Sequence, residues 1–123
     1  MLTQVMTTTK MSVEPVENWT TICPARRIMP FTGVAAMVNA EQVAVFRLTT
    51  TSECYAISNY DPFSQAFVIS RGLVGDKGGM LKVASPIYKH TFNLLTGQCF
   101  EDETVRLQTW PVRVVDGIVQ IAI

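Results

Sequence analysis

The chain closes on Pro111-Val112-Arg113-Val114-Val115-Asp116-Gly117-Ile118-Val119-Gln120-Ile121-Ala122-Ile123, and this stretch decides the fold class. Two runs rich in β-branched residues flank Asp-Gly, a dipeptide suited to the positive φ angles of a two-residue hairpin turn. Working back, Thr91-Phe92-Asn93-Leu94 runs into the turn signal Thr96-Gly97, and Met80-Leu81-Lys82-Val83-Ala84 follows Gly78-Gly79. Cys54-Tyr55-Ala56-Ile57 reads as another strand after a turn over Thr49 to Ser52. Val34 to Val38 and Val43 to Leu48 form a second hairpin around the polar connection Asn39-Ala40-Glu41-Gln42. No window shows a capped 3.6-residue apolar period. About eight short strands without an internal repeat specify an all-β sandwich or barrel. Residues 1–16 are polar and threonine-rich and read as a flexible amino-terminal extension, leaving residues 17–123 as the domain.

Composition narrows the function. The chain has 123 residues, enough for one domain with a core of its own. Apolar residues make up 48% and charged residues 16%, which excludes a disordered tail. Ten basic residues balance ten acidic ones, so the cation excess that phosphate backbones demand is missing. A greasy, uncharged domain is poorly soluble alone and suits a permanent partner. The longest aliphatic run, Val34 to Val38, is far too short for a membrane helix, and the amino terminus lacks a signal-peptide core, so the expected location is cytoplasmic. Gly75-Asp76-Lys77-Gly78-Gly79 lacks the phosphate-loop spacing and reads as a hairpin turn.

There is one histidine, His90, and there are three cysteines, Cys23, Cys54 and Cys99. No four-cysteine cluster can form within the chain, and these four residues show no C-x-x-C or H-x-x-x-H spacing for zinc. An odd cysteine number without a secretion signal reads as reduced thiols, best placed as small buried hydrophobes. Nothing local pairs a cysteine with His90 as a base, so a stand-alone enzyme is the least favoured reading.

Two segments, Ala56-Ile57-Ser58-Asn59-Tyr60-Asp61-Pro62-Phe63 and Val83-Ala84-Ser85-Pro86-Ile87-Tyr88-Lys89-His90-Thr91-Phe92-Asn93-Leu94-Leu95-Thr96-Gly97, join the closing hairpin in a frame that resembles Rieske-type ferredoxins over roughly residues 19–123. The resemblance implies a Rieske-like β-sandwich or partly open barrel with a small loop subdomain. In that family the first loop carries C-P-H and the second C-P-x-H. The four ligand positions fall here on Asp61, Phe63, Ser85 and Tyr88. A Rieske cluster needs two thiolates and two imidazoles, so this reading has the chain without its 2Fe-2S site and without a cofactor of its own. Phe63 and Tyr88 are expected to fill the vacated volume, and Asp61 and Ser85 to bond each other or nearby N–H groups. Pro62 and Pro86 stiffen the two loop tips.

A narrower resemblance follows. Asn59-Tyr60-Asp61-Pro62-Phe63, Ser70-Arg71-Gly72-Leu73, Ala84-Ser85-Pro86 and Gly97-Gln98-Cys99-Phe100-Glu101-Asp102-Glu103 are similar to the small subunits of assimilatory NAD(P)H nitrite reductases. The resemblance implies a non-catalytic subunit that supports a large subunit holding flavin, sirohaem, an iron–sulfur cluster and the nicotinamide site, and reducing nitrite to ammonia. The choice between NADH and NADPH stays open. The expected partner surface is the tip: Pro62, Phe63, Arg71, Pro86, Tyr88, Lys89 and His90. Charge separates along the chain, with Arg71, Lys77, Lys82 and Lys89 against Asp76 in one stretch and Glu101-Asp102-Glu103 in another, either as steering patches or as solvated faces. The alternative is a stand-alone binding module that self-associates through the tip or an open sheet edge.

Overall fold

The computed structural model describes residues 18–48 and 53–123; the extension expected over residues 1–16 and the turn expected over residues 49–52 lie outside them. Along the chain run β1 (Trp19–Pro24), β2 (Thr32–Val38), β3 (Glu41–Arg47), β4 (Cys54–Ser58), β5 (Tyr60–Asp61), β6 (Ala66–Phe67), β7 (Leu73–Lys77), β8 (Met80–Ala84), β9 (Thr91–Asn93), β10 (Thr109–Trp110), β11 (Val112–Val115) and β12 (Ile118–Ala122). The only helical pieces among the described residues are two 3₁₀ turns, Ala25–Arg27 and Ile69–Arg71.

All ladders are antiparallel and join four sheets: β1-β12-β11, β10-β4-β3-β2, β7-β8-β9 and the ribbon β5-β6. The closing hairpin forms as its composition dictates, with Val115 opposite Ile118 across Asp116 and Gly117, both at positive φ. β3 explains the rest of the layout. It reads Val43-Ala44-Val45-Phe46, apolar without alternation, because both of its faces are covered. Val43 and Val45 face a core shared with Val119 and Ile121 of the β1-β12-β11 sheet. Ala44 and Phe46 face a second core with Ile69, Val83, Phe92, Leu94 and Leu107, which carries the loops. Phe46 and Phe92 are fully buried, and each such side chain contributes roughly 1.5–3 kcal/mol.

The first hairpin is tighter than its sequence suggests. Val38 pairs directly with Glu41, so the connection is Asn39-Ala40 alone and not four residues. Both residues sit in the left-handed region, Asn39 at φ 49° and Ala40 at φ 68°. Asn adopts that conformation readily, whereas Ala adopts it at a steric cost of roughly 1–2 kcal/mol. Ala40→Gly is therefore expected to stabilise the fold by about 1 kcal/mol, read as a higher urea midpoint with unchanged slope. A lower midpoint would contradict this turn geometry. The expected count of strands is low for a similar reason: β5, β6 and β10 have two residues each and carry no periodicity.

Candidate functional site: the paired loop tips

Two loops meet at one end of the second core. The first, residues 58–72, leaves β4 and returns through β5, β6 and the Ile69–Arg71 turn. The second, residues 85–90, joins β8 to β9. Leu73 pairs with Ala84, which sets the end of the first loop beside the start of the second.

Asn59 anchors the first loop. It is 2% exposed; its Oδ1 accepts from Ser70 N–H at 2.7 Å and its Nδ2 donates to Gln42 Oε1 at 3.2 Å. Two residues on, Asp61 is fully buried and joins the loops. Ser85 Oγ, from the second loop and also fully buried, donates to Asp61 Oδ2 at 2.5 Å. Ser64 Oγ donates to the same oxygen at 2.8 Å, and the N–H groups of Phe63 and Ser64 donate to Oδ1 at 2.9 and 3.4 Å. Burial pushes the Asp61 carboxyl up, but the bonds from Ser85, Ser64 and the Phe63 and Ser64 N–H groups outweigh it and hold the group below the ordinary carboxylate range.

Beside this polar clasp lies an aromatic one. The Phe63 ring stacks on the His90 ring, centroids 3.6 Å apart and planes 3° apart, and tilts against Phe92 at 6.3 Å. This corrects the expectation for Tyr88. Its ring does not fill the space between the loops; it is 62% exposed. Lys89 supplies the reason. At φ 68° it turns the chain, so that Tyr88 lies outside and the next residue, His90, lies over Phe63. The second loop is closed by Ser85 N–H donating to His90 O at 2.9 Å. Its far end is held by Glu101, whose carboxylate accepts from the Thr91 N–H at 2.8 Å and from the Thr91 hydroxyl. Burial raises the Glu101 carboxyl, and the Thr91 and Cys99 bonds bring it below its ordinary value. Asp102 bonds Thr104, so two members of the acidic run are engaged internally.

The outer surface of the tip combines apolar and basic side chains. Ile87 is 44% exposed, beside exposed Pro86, Tyr88 and Lys89. Pro62 and Phe63 are half-buried, and Arg71 is exposed. Among the described residues, His90 Nδ1 alone is a buried side-chain polar atom without a hydrogen-bond partner. Nothing in the sequence announces it, because His90 follows a loop whose direction depends on Lys89.

The donor set does not fit a Rieske cluster. The two loops offer a committed carboxylate, a serine hydroxyl bonded to it, a phenylalanine and an outward tyrosine. The thiols lie elsewhere: Cys23 and Cys54 pack on the core between the first two sheets, and Cys99 is buried in the second core. Burial pushes all three thiols above their ordinary value, which suits structural cysteines. A separate groove of about 370 Å³ is lined by Tyr55, Leu94, Leu95 and Trp110 and includes none of the tip residues.

The comparisons with known proteins identify the fold and the family. The family of Rieske-like [2Fe-2S] domains matches residues 18–122. A nitrite reductase (NADH) small subunit from Salmonella typhimurium is 45% identical over 106 residues, 86% of this chain and 98% of that protein. The solution structure of a nitrite reductase [NAD(P)H] small subunit from Erwinia carotovora superimposes with a TM-score of 0.75 at 47% identity, covering 85% of this chain and 81% of that one. A nitrite reductase [NAD(P)H] large subunit from Klebsiella oxytoca is 36% identical over 107 residues, 87% of this chain but 11% of that protein.

Proposed function

Because the chain belongs to the Rieske-like domain family and, within it, to the small subunits of NADH nitrite reductase, we propose that it serves its large subunit as a cluster-free docking domain, with the paired loop tips as the contact surface. The observation that carries this reading is the fused relative: the Klebsiella oxytoca large subunit holds a region similar to nearly the whole of this domain within one polypeptide. A domain that occurs joined to the large chain in one protein and separate in another works beside it in both.

The tip supports the contact. Exposed Ile87 and Tyr88 offer an apolar anchor, Lys89 and Arg71 add positive charge, and next to Lys89 in the chain the buried Nδ1 of His90 has no partner among the described residues. The nitrite chemistry, with its flavin, sirohaem, iron–sulfur and nicotinamide components, then belongs to the large subunit. No helix among the described residues is long and apolar enough to cross a membrane. We place the complex in the cytoplasm, where three unpaired thiols persist.

The test is co-expression with the cognate large subunit. The full chain is expected to be colourless, to carry no iron and to co-purify with that subunit. Tyr88→Asp combined with Lys89→Glu is expected to weaken capture about tenfold or more, with an unchanged melting temperature because both side chains are exposed. Stoichiometric bound iron, or nitrite turnover indifferent to this chain, would overturn the reading.

A further inference from the structure

One long strand edge is left open. β2 lies at the outside of the four-stranded sheet, and Thr32-Gly33-Val34-Ala35-Ala36-Met37-Val38 contains neither a charge nor a proline. The other outer strands are blunted. β1 has an irregularity between Thr21 and Cys23 and ends on Pro24, β7 ends in Asp76-Lys77, β9 is bridged from Phe92 to Cys99, β10 is two residues long, and β11 follows Pro111 and carries Arg113. Such devices discourage edge pairing; β2 carries none along Val34 to Val38, and among the described residues only its Gly33 end is approached by another element, the Ile69–Arg71 turn through Ser70 O.

The direction of its main-chain groups follows from the hairpin. A two-residue turn makes Val38 and Glu41 a hydrogen-bonded pair, so Ala36 and Val34 also face β3, while the N–H and C=O of Gly33, Ala35 and Met37 point outward. Gln42, opposite Met37, confirms the parity: its carbonyl accepts from Asn59 N–H at 3.0 Å, on the side away from β2. Among the described residues, nothing bonds the outward groups of Ala35 or Met37.

Charge and apolar surface name the occupant. The Ala25–Arg27 turn sits at the Thr32 end of the strand, because Arg47, the partner of Thr32, donates to the carbonyls of Ala25 and Ile28. Exposed Arg26 and Arg27 therefore mark one end of β2, and exposed Glu41 marks the other. Met29, Phe31 and Met37 are 71%, 60% and 66% exposed along the same line. An antiparallel copy of the strand reverses these ends. It sets the arginines of each chain toward Glu41 of the other and brings the exposed Met37 of each toward the Phe31 end of the other. The edge is self-complementary, as a twofold interface requires.

We propose that β2 is a dimerisation edge: two copies of this chain pair β2 to β2, antiparallel about a twofold axis at Ala35, and merge their four-stranded sheets into one continuous sheet. The pairing rests on β2 and its flanking charges, and does not depend on the nitrite reductase reading or on the loop tips.

Sedimentation and light scattering of the full chain over a concentration series test it. A reversible dimer is expected. Met37→Lys and Ala35→Pro should each weaken it about tenfold or more, with unchanged circular dichroism, since the Ala35 N–H serves no bond among the described residues. Glu41→Arg alone and Arg26→Glu with Arg27→Glu should each weaken the dimer, and all three together should restore it, an outcome that loss of folding cannot mimic. A chain that stays monomeric at millimolar concentration overturns the proposal. So does a dimer that ignores Met37→Lys and Ala35→Pro but splits with Tyr88→Asp, or a chain that pairs only after residues 1–17 are removed. A monomer whose capture of the large subunit is abolished by Met37→Lys also overturns it, and gives the edge to that partner.

Discussion

Asp61→Ala is expected to cost the domain about 3 kcal/mol, since four donors lose a charged acceptor and bonds to charged groups are worth about 1.5–3 kcal/mol each before the site relaxes. The donors are the Ser85 and Ser64 hydroxyls and the N–H groups of Phe63 and Ser64. For a domain of this size the loss lowers the melting temperature by roughly 15 °C. Ser85→Ala removes a single donor and is expected to cost about 1 kcal/mol. The pH dependence follows from the lowered Asp61 carboxyl. Below its folded-state value both folded and unfolded forms bind the proton, and the group contributes nothing. Between that value and the unfolded carboxylate value of about 3.9, the unfolded chain binds more protons, so stability rises with pH. Above about 3.9 the contribution is complete. The gap in unfolding free energy between wild type and Asp61→Ala should therefore be constant from neutral pH to about pH 5 and shrink as acid carries the protein through the folded-state value. Urea melts at a series of pH values measure this. A gap that stays flat down to pH 2 would mean that the carboxylate is not the acceptor joining the loops.

Gly97→Ala is expected to be at least as damaging. A methyl group at this position would meet Leu107 O at 1.9 Å and Leu107 C at 2.9 Å, both backbone atoms. The residue also sits at φ 83°. Neither neighbour can withdraw: Leu107 N–H donates to Gly97 O at 2.8 Å, and Gly97 N–H donates to Asn93 O at 2.7 Å. The expected cost is about 4 kcal/mol or more, enough to leave much of the protein insoluble. Gly78→Ala separates crowding from backbone strain. Gly78 lies at φ 59° with nothing within 4 Å of the added carbon, so the expected loss is only about 1 kcal/mol. Equal losses at the two positions, compared by urea denaturation, would contradict the close approach at Gly97.

The hairpins are legible in the sequence because their signals are local. Asp116-Gly117 fixes its own turn, and Met80 to Ala84 appears as β8 with the expected bounds. The missed β7 is an outer strand with glycine and two charges, and two-residue strands exist only through the partner they meet. The membership in the nitrite reductase small subunits is also legible, because the resemblance is carried by short contiguous runs such as Asn59-Tyr60-Asp61-Pro62-Phe63. Side-chain direction in the second loop is not. Whether Tyr88 or His90 covers Phe63 depends on one left-handed residue between them, and Lys89 is a type that rarely signals such a conformation. The contrast between uncharged β2 and its blunted counterparts needs the sheet order, which composition alone does not supply.

Because Ala44 and Phe46 belong to one core while Val43 and Val45 belong to the other, the loops rest on the same backbone that seals the opposite sheet. Slow amide exchange should then extend from β3 into Asn59 and Ser85 at nearly the free energy of whole-molecule opening, rather than at a lower local value. The loop tips would then stand on a shared keel and are expected to hold their shape through any change in the redox state of their surroundings.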